Sequence, residues 1–170
     1  YLHRRQRQMC IRDRFKRISE TKHLKLKGLH AHIGSQIFEL DPHKDLGEIM
    51  VKVILDAKKF GHNIEELNVG GGLGIRYTES DDPPSIDEWV KTISSSVVEA
   101  CKKNNLDFPT LMCEPGRSIV STAGITIYKI GAFKEIPGIR TYLSVDGGMS
   151  DNPRPITYQS NYSACLVSNP

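Results

Sequence analysis

At 170 residues and 38% hydrophobic content, the chain is long enough to bury one core. Its uninterrupted apolar runs are only a few residues long and no charged-then-apolar leader opens it, which argues against a membrane-spanning segment and for a soluble protein. The formal charge of +3 is not spread evenly: YLHRRQRQMCIRDR, residues 1–14, holds five arginines and one aspartate, net +4, and the other 156 residues sum to −1. Nothing outside that stretch speaks for a nucleic-acid partner.

Residues 1–14 have neither strand alternation nor a helical stripe, and their Arg/Gln richness stops at Phe15. The string MCIRDR resembles the translation of a common sequencing-library adaptor, so this stretch is expected to be a non-native or disordered tail. Cys10, Cys101, Cys113 and Cys165 form no C-x-x-C pair and have no histidine at zinc-ligand spacing, which predicts reduced structural thiols, a cytosol-like compartment and no metal.

From Phe15 the organisation is regular. KLKGLHAHIGS reads as a short strand, after which Asp41 and Pro42 offer an N-cap and first-turn proline. Leu46, Ile49, Met50, Val53, Ile54 and Ala57 then follow helical spacing until Gly61. ELNVGGGLGI is a second strand running into glycines. Ser85 and Glu88 form a capping box ahead of Ile86, Val90, Ile93, Val97 and Ala100, a second amphipathic helix. TLMCEPG is a third strand that looks buried. Strand, helix, strand, helix, strand predicts a parallel α/β arrangement, in which ligand groups collect at the carboxyl ends of strands. After residue 124, GITIYKIGAFK and RTYLSVDGG read as strands around a turn-like EIPG. We therefore expect three regions: the tail at 1–14, part of a (β/α)8 TIM-like barrel over 15–124, and over 125–170 the start of a C-terminal β domain that is cut off at Pro170.

Each barrel strand ends in unusual residues. Alternation puts His30, His32 and Gly34 on one face of the first strand, pointing inward. His30 is expected to be a hydrogen-bonded core residue. His32, followed by Gly34, Ser35 and Gln36, is the ligand-facing candidate. In VGGGLG, Gly70, Gly71, Gly72 and Gly74 do not spell a dinucleotide fingerprint; they suit a phosphate cradle or a simple strand-to-loop turn. Glu114 and Arg117 in EPGR would in isolation be a surface ion pair contributing under about 1 kcal/mol, but their place after a strand is where barrels put catalytic groups.

HIGSQ (32–36), GGGLG (70–74), EPGRSIV (114–120) and DGGMSDNPRPITY (146–158) together resemble the diaminopimelate decarboxylase family of fold-type III enzymes, over roughly residues 20–165. The resemblance implies a carboxy-lyase that uses pyridoxal 5'-phosphate at the mouth of a (β/α)8 barrel and converts meso-2,6-diaminopimelate to L-lysine and CO2. It implies that His32 stacks on the cofactor ring, that Ser35, Gly71, Gly72, Pro115, Gly116 and Arg117 surround the phosphate, and that Glu114 meets the pyridine nitrogen. His32 and Glu114 are thereby the catalytic candidates. Arg117, Arg154 and Tyr158 match substrate-binding positions, a guanidinium being suited to a distal carboxylate. The family's cofactor-bearing lysine lies upstream of the segments matched here, and its partner-completing cysteine and glutamate loop lies beyond them. The resemblance therefore also implies a homodimer with shared sites and an inactive fragment. The alternatives are a related ornithine, arginine or carboxynorspermidine decarboxylase, or a non-catalytic pyridoxal-phosphate-binding regulator.

Overall fold

The computed structural model describes residues 2–168, with side chains described from residue 10 onward. The chain divides into two compact units. One is built from residues up to 75 together with 83–119, the other from 76–82 together with the residues from 120 onward.

The first unit is a β/α arc. Helix α1 (Leu2–Ser19) precedes β1 (Gly28–His30), α2 (Asp41–Lys59), β2 (Glu66–Asn68), α3 (Ile86–Lys103), β3 (Thr110–Met112) and the one-turn α4 (Gly116–Val120). The three strands pair in parallel and in sequential order, with Leu29 facing Leu67 and Leu67 facing Leu111. A strand order without reversal, joined by helical crossovers, is the wall of a (β/α)8 barrel rather than a doubly wound sheet.

Helix α3 starts as its sequence dictates. Ser85 Oγ accepts from Glu88 N–H, and the Glu88 carboxylate accepts from Ser85 N–H at 2.9 Å. Helix α2 starts one residue earlier than expected: Leu40 is the N-cap, without a side-chain cap, and Asp41 and Pro42 are the first helical residues. Asp41 thus acts by its charge on the first turn rather than as a cap.

The buried faces are also turned slightly from the predicted stripes. Ile49 is 42% exposed and Val90 43%, whereas Trp89 is fully buried and His43, Gly47 and Ser96 join the α2–α3 contact. An indole has the largest apolar area available, so the helix rolls to bury it and leaves Ile86 and Val90 on the rim. Gly47 makes the approach possible, since a Cβ there would lie 2.9 Å from the Ser96 Cβ. Ser96 Oγ donates to the Lys44 carbonyl at 2.5 Å across the contact.

The stretch expected to be a non-native or disordered tail, residues 1–14, is helical over its described residues. Helix α1 covers 2–19, Arg12 donates to Asp56 of α2 at 2.9 and 3.2 Å, and Phe15 is buried against Phe60 with its carbonyl 2.7 Å from His62 Nε2. Its lack of a helical stripe is real; Phe15 and Arg12 dock what amphipathicity does not.

In the second unit, β4 (Ile130–Ile136) and β5 (Arg140–Val145) form an antiparallel hairpin. The strand is shorter than GITIYKIGAFK suggested at its start and longer at its end, because Glu135 and Ile136 pair with Thr141 and Arg140 and leave only Pro137–Ile139 for the turn. Gly138 takes φ +71° there. Ser144 Oγ both accepts from Ala132 N–H and donates to its carbonyl, holding the irregularity between Ile130 and Phe133. The five-residue α5 (Arg154–Tyr158) follows. Among the described residues no helix is long and apolar enough to cross a membrane.

His43 is the buried group that pH should expose. Among the described residues both ring nitrogens lack a hydrogen-bond partner, and the ring meets Trp89 edge-on at 5.6 Å. Burial, and secondarily the nearby His32, hold its pKa below the ordinary 6.5. A base depressed in the folded state stabilises fully above the unfolded pKa, and that stability is lost as pH falls through the folded value, because the unfolded chain then binds more protons. His43→Leu should therefore flatten the dependence of Tm on pH between about 5 and 7 in the complete protein; an unaltered slope would show that another group sets it.

Candidate functional site

The carboxyl ends of β1, β2 and β3 meet through a ladder that continues past the strands themselves. Ala31 N–H donates to the Asn68 carbonyl at 3.0 Å, Val69 N–H to the Met112 carbonyl at 3.0 Å, and Glu114 N–H to the Gly70 carbonyl at 2.7 Å. The glycine run is shaped by this closeness. Gly70 and Gly72 have φ +70° and +101°, in the region that side chains resist. A Cβ on Gly71 would collide with the Glu114 carbonyl, and one on Gly72 with the Gly34 carbonyl.

His32 lies just beyond β1, exposed, with Nδ1 accepting from Gly71 N–H at 3.2 Å. That bond uses the lone pair on Nδ1, which in the neutral tautomer leaves the ring N–H on Nε2. Ser35 and Arg117 meet from opposite ends of the site, Nη2 of Arg117 donating to Ser35 Oγ at 2.8 Å. Gln36, in the left-handed region at φ +60°, ties the loop together. Its Nε2 donates to the Ile75 carbonyl at 2.6 Å while its Oε1 accepts from Ile75 N–H and from Arg117 Nη1, each at 3.3 Å.

Glu114 does not pair with Arg117. Its Oε1 accepts from Asn68 Nδ2 at 2.8 Å and lies 3.7 Å from His30 Nε2, and its side chain is 55% exposed. Oε2 takes no hydrogen bond among the described residues. His30 is thus not the core residue expected; its side chain is 53% exposed and borders the carboxylate. The strand before Glu114 is not buried either, with Thr110, Met112 and Cys113 exposed and only Leu111 packed on the core. It is the last strand of the sheet, so one of its edges has no neighbour among the described residues.

His32, Ser35, Gly71, Gly72, Glu114, Pro115, Gly116 and Arg117 all fall at this set of strand ends. Gly71 N–H is engaged by His32 and Gly116 N–H by the Glu114 carbonyl at 2.9 Å, whereas the N–H of Gly72 donates to no group among the described residues. Arg154 and Tyr158 belong to the second unit, where the Arg154 guanidinium lies 5.4 Å from the Tyr158 ring and 5.8 Å from that of Tyr77. Sequence reasoning missed Asn68, and it named Gln36 only as a polar neighbour of His32. Asn68 was within reach of the alternation argument used for the histidines, being two residues before Gly70 on the same strand.

These groups fit a phosphorylated aromatic ring: a hydroxyl and a guanidinium together at one side, open space where a Cβ on Gly116 would project, an uncovered imidazole, and a carboxylate with one oxygen available.

The profile described as "Pyridoxal-dependent decarboxylase, pyridoxal binding domain" matches residues 10–121. A protein of Synechocystis sp. named diaminopimelate decarboxylase is 56% identical over 154 residues, covering 91% of this chain and 33% of the relative. The protein of that name from Bacillus subtilis is 42% identical, covering 89% and 35%. The crystal structure titled diaminopimelate decarboxylase from M. jannaschii in co-complex with L-lysine superposes with a TM-score of 0.75 at 32% identity, over 85% of this chain and 32% of that one. The chain thus spans about a third of the length of the curated relatives it matches.

Because Gly71 sits against the Glu114 backbone, Gly71→Ala should push the β3 end away and cost about 1–3 kcal/mol of stability. Urea unfolding of the complete protein measures it, and a loss near zero would mean that the strand ends yield freely.

Proposed function

Since the chain belongs to the pyridoxal-dependent decarboxylases, we propose that it is the cofactor-holding part of an enzyme that converts meso-2,6-diaminopimelate to L-lysine and CO2. The observation that carries this reading is the convergence of Glu114, His32 and the Ser35–Arg117 pair at the ends of three adjacent parallel strands. The names of the relatives at 42–56% identity support the substrate. Residues 125–170 are, on the same proposal, the start of the C-terminal β domain.

Pyridoxal 5'-phosphate, when bound, supplies an electron sink for the carbon that loses CO2. Arg117, Ser35 Oγ and the N–H groups of Gly71, Gly72 and Gly116 would hold its phosphate, with Pro115 fixing the chain between Glu114 and Gly116. His32 would lay its imidazole plane on the ring face, adding contact without a competing nucleophile. Glu114 Oε2 accepts the ring N–H and keeps the proton on that nitrogen, since a neighbouring carboxylate favours the charged form. Arg154, beside the rings of Tyr158 and Tyr77, takes the substrate's distal carboxylate. The proposal includes a cytoplasmic homodimer with shared sites; the four free cysteines are consistent with a reducing compartment.

Assay of the complete enzyme carrying this segment against diaminopimelate, ornithine, arginine and carboxynorspermidine tests the reading: lysine production should dominate, and turnover of none of the four would support a regulator instead. Glu114→Gln should lower kcat at least about tenfold with cofactor affinity retained; a change confined to stability would return the residue to a structural role. Arg154→Ala should raise KM for diaminopimelate by about 10–100-fold, the scale of one lost charged hydrogen bond, and an unchanged KM refutes its contact with substrate.

A further inference from the structure

Three adjacent strands place three polar side chains side by side: His30 closes β1, Asn68 closes β2, and Glu114 lies two residues past β3. Asn68 faces His30 on one side of the register and Met112 on the other. Both ends of its amide are engaged, Nδ2 donating to Glu114 Oε1 at 2.8 Å and Oδ1 accepting from Gly70 N–H at 2.8 Å. The Gly70 carbonyl in turn accepts from Glu114 N–H at 2.7 Å. The three residues therefore form a closed ring of hydrogen bonds in which the amide has one orientation only, its donor toward the carboxylate. His30 Nε2, at 3.7 Å, is beyond hydrogen-bond length from the same oxygen.

We propose that Asn68 is the positioning residue of Glu114: its amide occupies Oε1 and leaves Oε2 as the face presented to the cofactor's ring nitrogen. This rests on the reading of Glu114 given above. A carboxylate more than half exposed at a strand end would otherwise rotate freely and meet the ring in several geometries, and holding it beforehand removes that entropy from the reaction. An amide is the right clamp because it is neutral. A lysine or arginine on Oε1 would hold the carboxylate as firmly but cancel the negative charge that keeps the ring nitrogen protonated. Arg117, three residues on from Glu114, donates to Ser35 and Gln36.

Asn68→Asp isolates the donor. It retains the acceptor for Gly70 N–H, removes the NH2 and sets a second carboxylate against Oε1. Two carboxylates sharing a site raise the pKa of the pair, and once one proton is shared the Asp O–H donates where the amide did. The titratable groups around the pair are His30 at the end of β1, His32 on Gly71, and Cys113 beside Glu114 in the chain.

In the complete holoenzyme, Asn68→Asp should be impaired at neutral and alkaline pH and recover toward acid, in kcat and in the pH at which the absorbance of the bound cofactor changes. The recovery should persist in a His30→Gln background. Asn68→Leu should lose about 10–100-fold in kcat at every pH, the scale on which loss of an orienting partner acts at metal sites, with the cofactor Kd from absorbance titration little changed. In a Glu114→Ala background, Asn68→Leu should have no further effect. A pH-independent deficit in Asn68→Asp, wild-type kcat in Asn68→Leu, or additivity with Glu114→Ala overturns the proposal. Should Asn68→Leu fail to fold, the acid recovery of Asn68→Asp decides alone. The two readings separate on Glu114→Ala by itself: wild-type kcat there removes the role of Glu114, whereas damage there with intact Asn68→Leu removes only the clamp.

Discussion

The ladder that joins the three parallel strands does not stop where the side chains stop packing. It runs on through Ala31 to Asn68, Val69 to Met112 and Glu114 to Gly70, into the residues proposed to hold the cofactor. Backbones this close leave no room for Cβ atoms, which is why glycine fills 70, 71 and 72. Those glycines in turn let His32 and Glu114 approach each other across the second strand. Close backbone pairing is thus the condition under which an imidazole, a guanidinium and a carboxylate from distant parts of the sequence share one small region.

The helices supply the rigidity behind that region. Trp89, Ile93 and Val97 of α3 pack with Met50, Val51 and Ile54 of α2 and, with Leu67 of β2 and Val69 just past it, form the core under the strand ends. A polar pair is embedded in it, His43 and Trp89, whose ring nitrogens all lack a hydrogen-bond partner among the described residues. At the opposite, amino-terminal end of the sheet, Lys25 and Lys27 flank Glu65 at 2.7 and 2.5 Å and hold its pKa down to about 2, Lys25 contributing most. Being solvent-exposed, that trio adds little to stability; its carbonyls matter more, since the Glu65 carbonyl accepts from Thr110 N–H and Lys27's from Glu65 N–H to start the ladder.

The arrangement of strands and helices was legible because each local signal agreed with the tertiary need. The Ser85–Glu88 capping box is local and formed as written. Helical stripes located the right turns but not the rotation of the helix, because Trp89 outweighs Ile86 and Val90 and sits one position aside. Asp41 looked like a cap, yet a proline at the next position suits the first turn, and the cap fell on Leu40. His30 and Asn68 eluded the sequence reading for a common reason. Alternation tells which face a side chain takes, but not whether that face at a strand end is packed or open. The Glu114–Arg117 spacing suggests a pair only in isolation, and the place of Glu114 after a strand argues otherwise: Pro115 and the start of α4 send the two to Asn68 and Ser35.

The sequential strand order also bears on how the chain can assemble. Each pairing in the sheet closes over about 40 residues, β1 to β2 and then β2 to β3, and no later strand inserts between earlier ones. A newly made strand can therefore add to the edge left by its predecessor while the intervening helix covers one face, so ordering can follow synthesis from the amino end. Glu114, tied to Gly70 and Asn68, is the last of the three polar groups to arrive. Its binding geometry is completed only when β3 has docked.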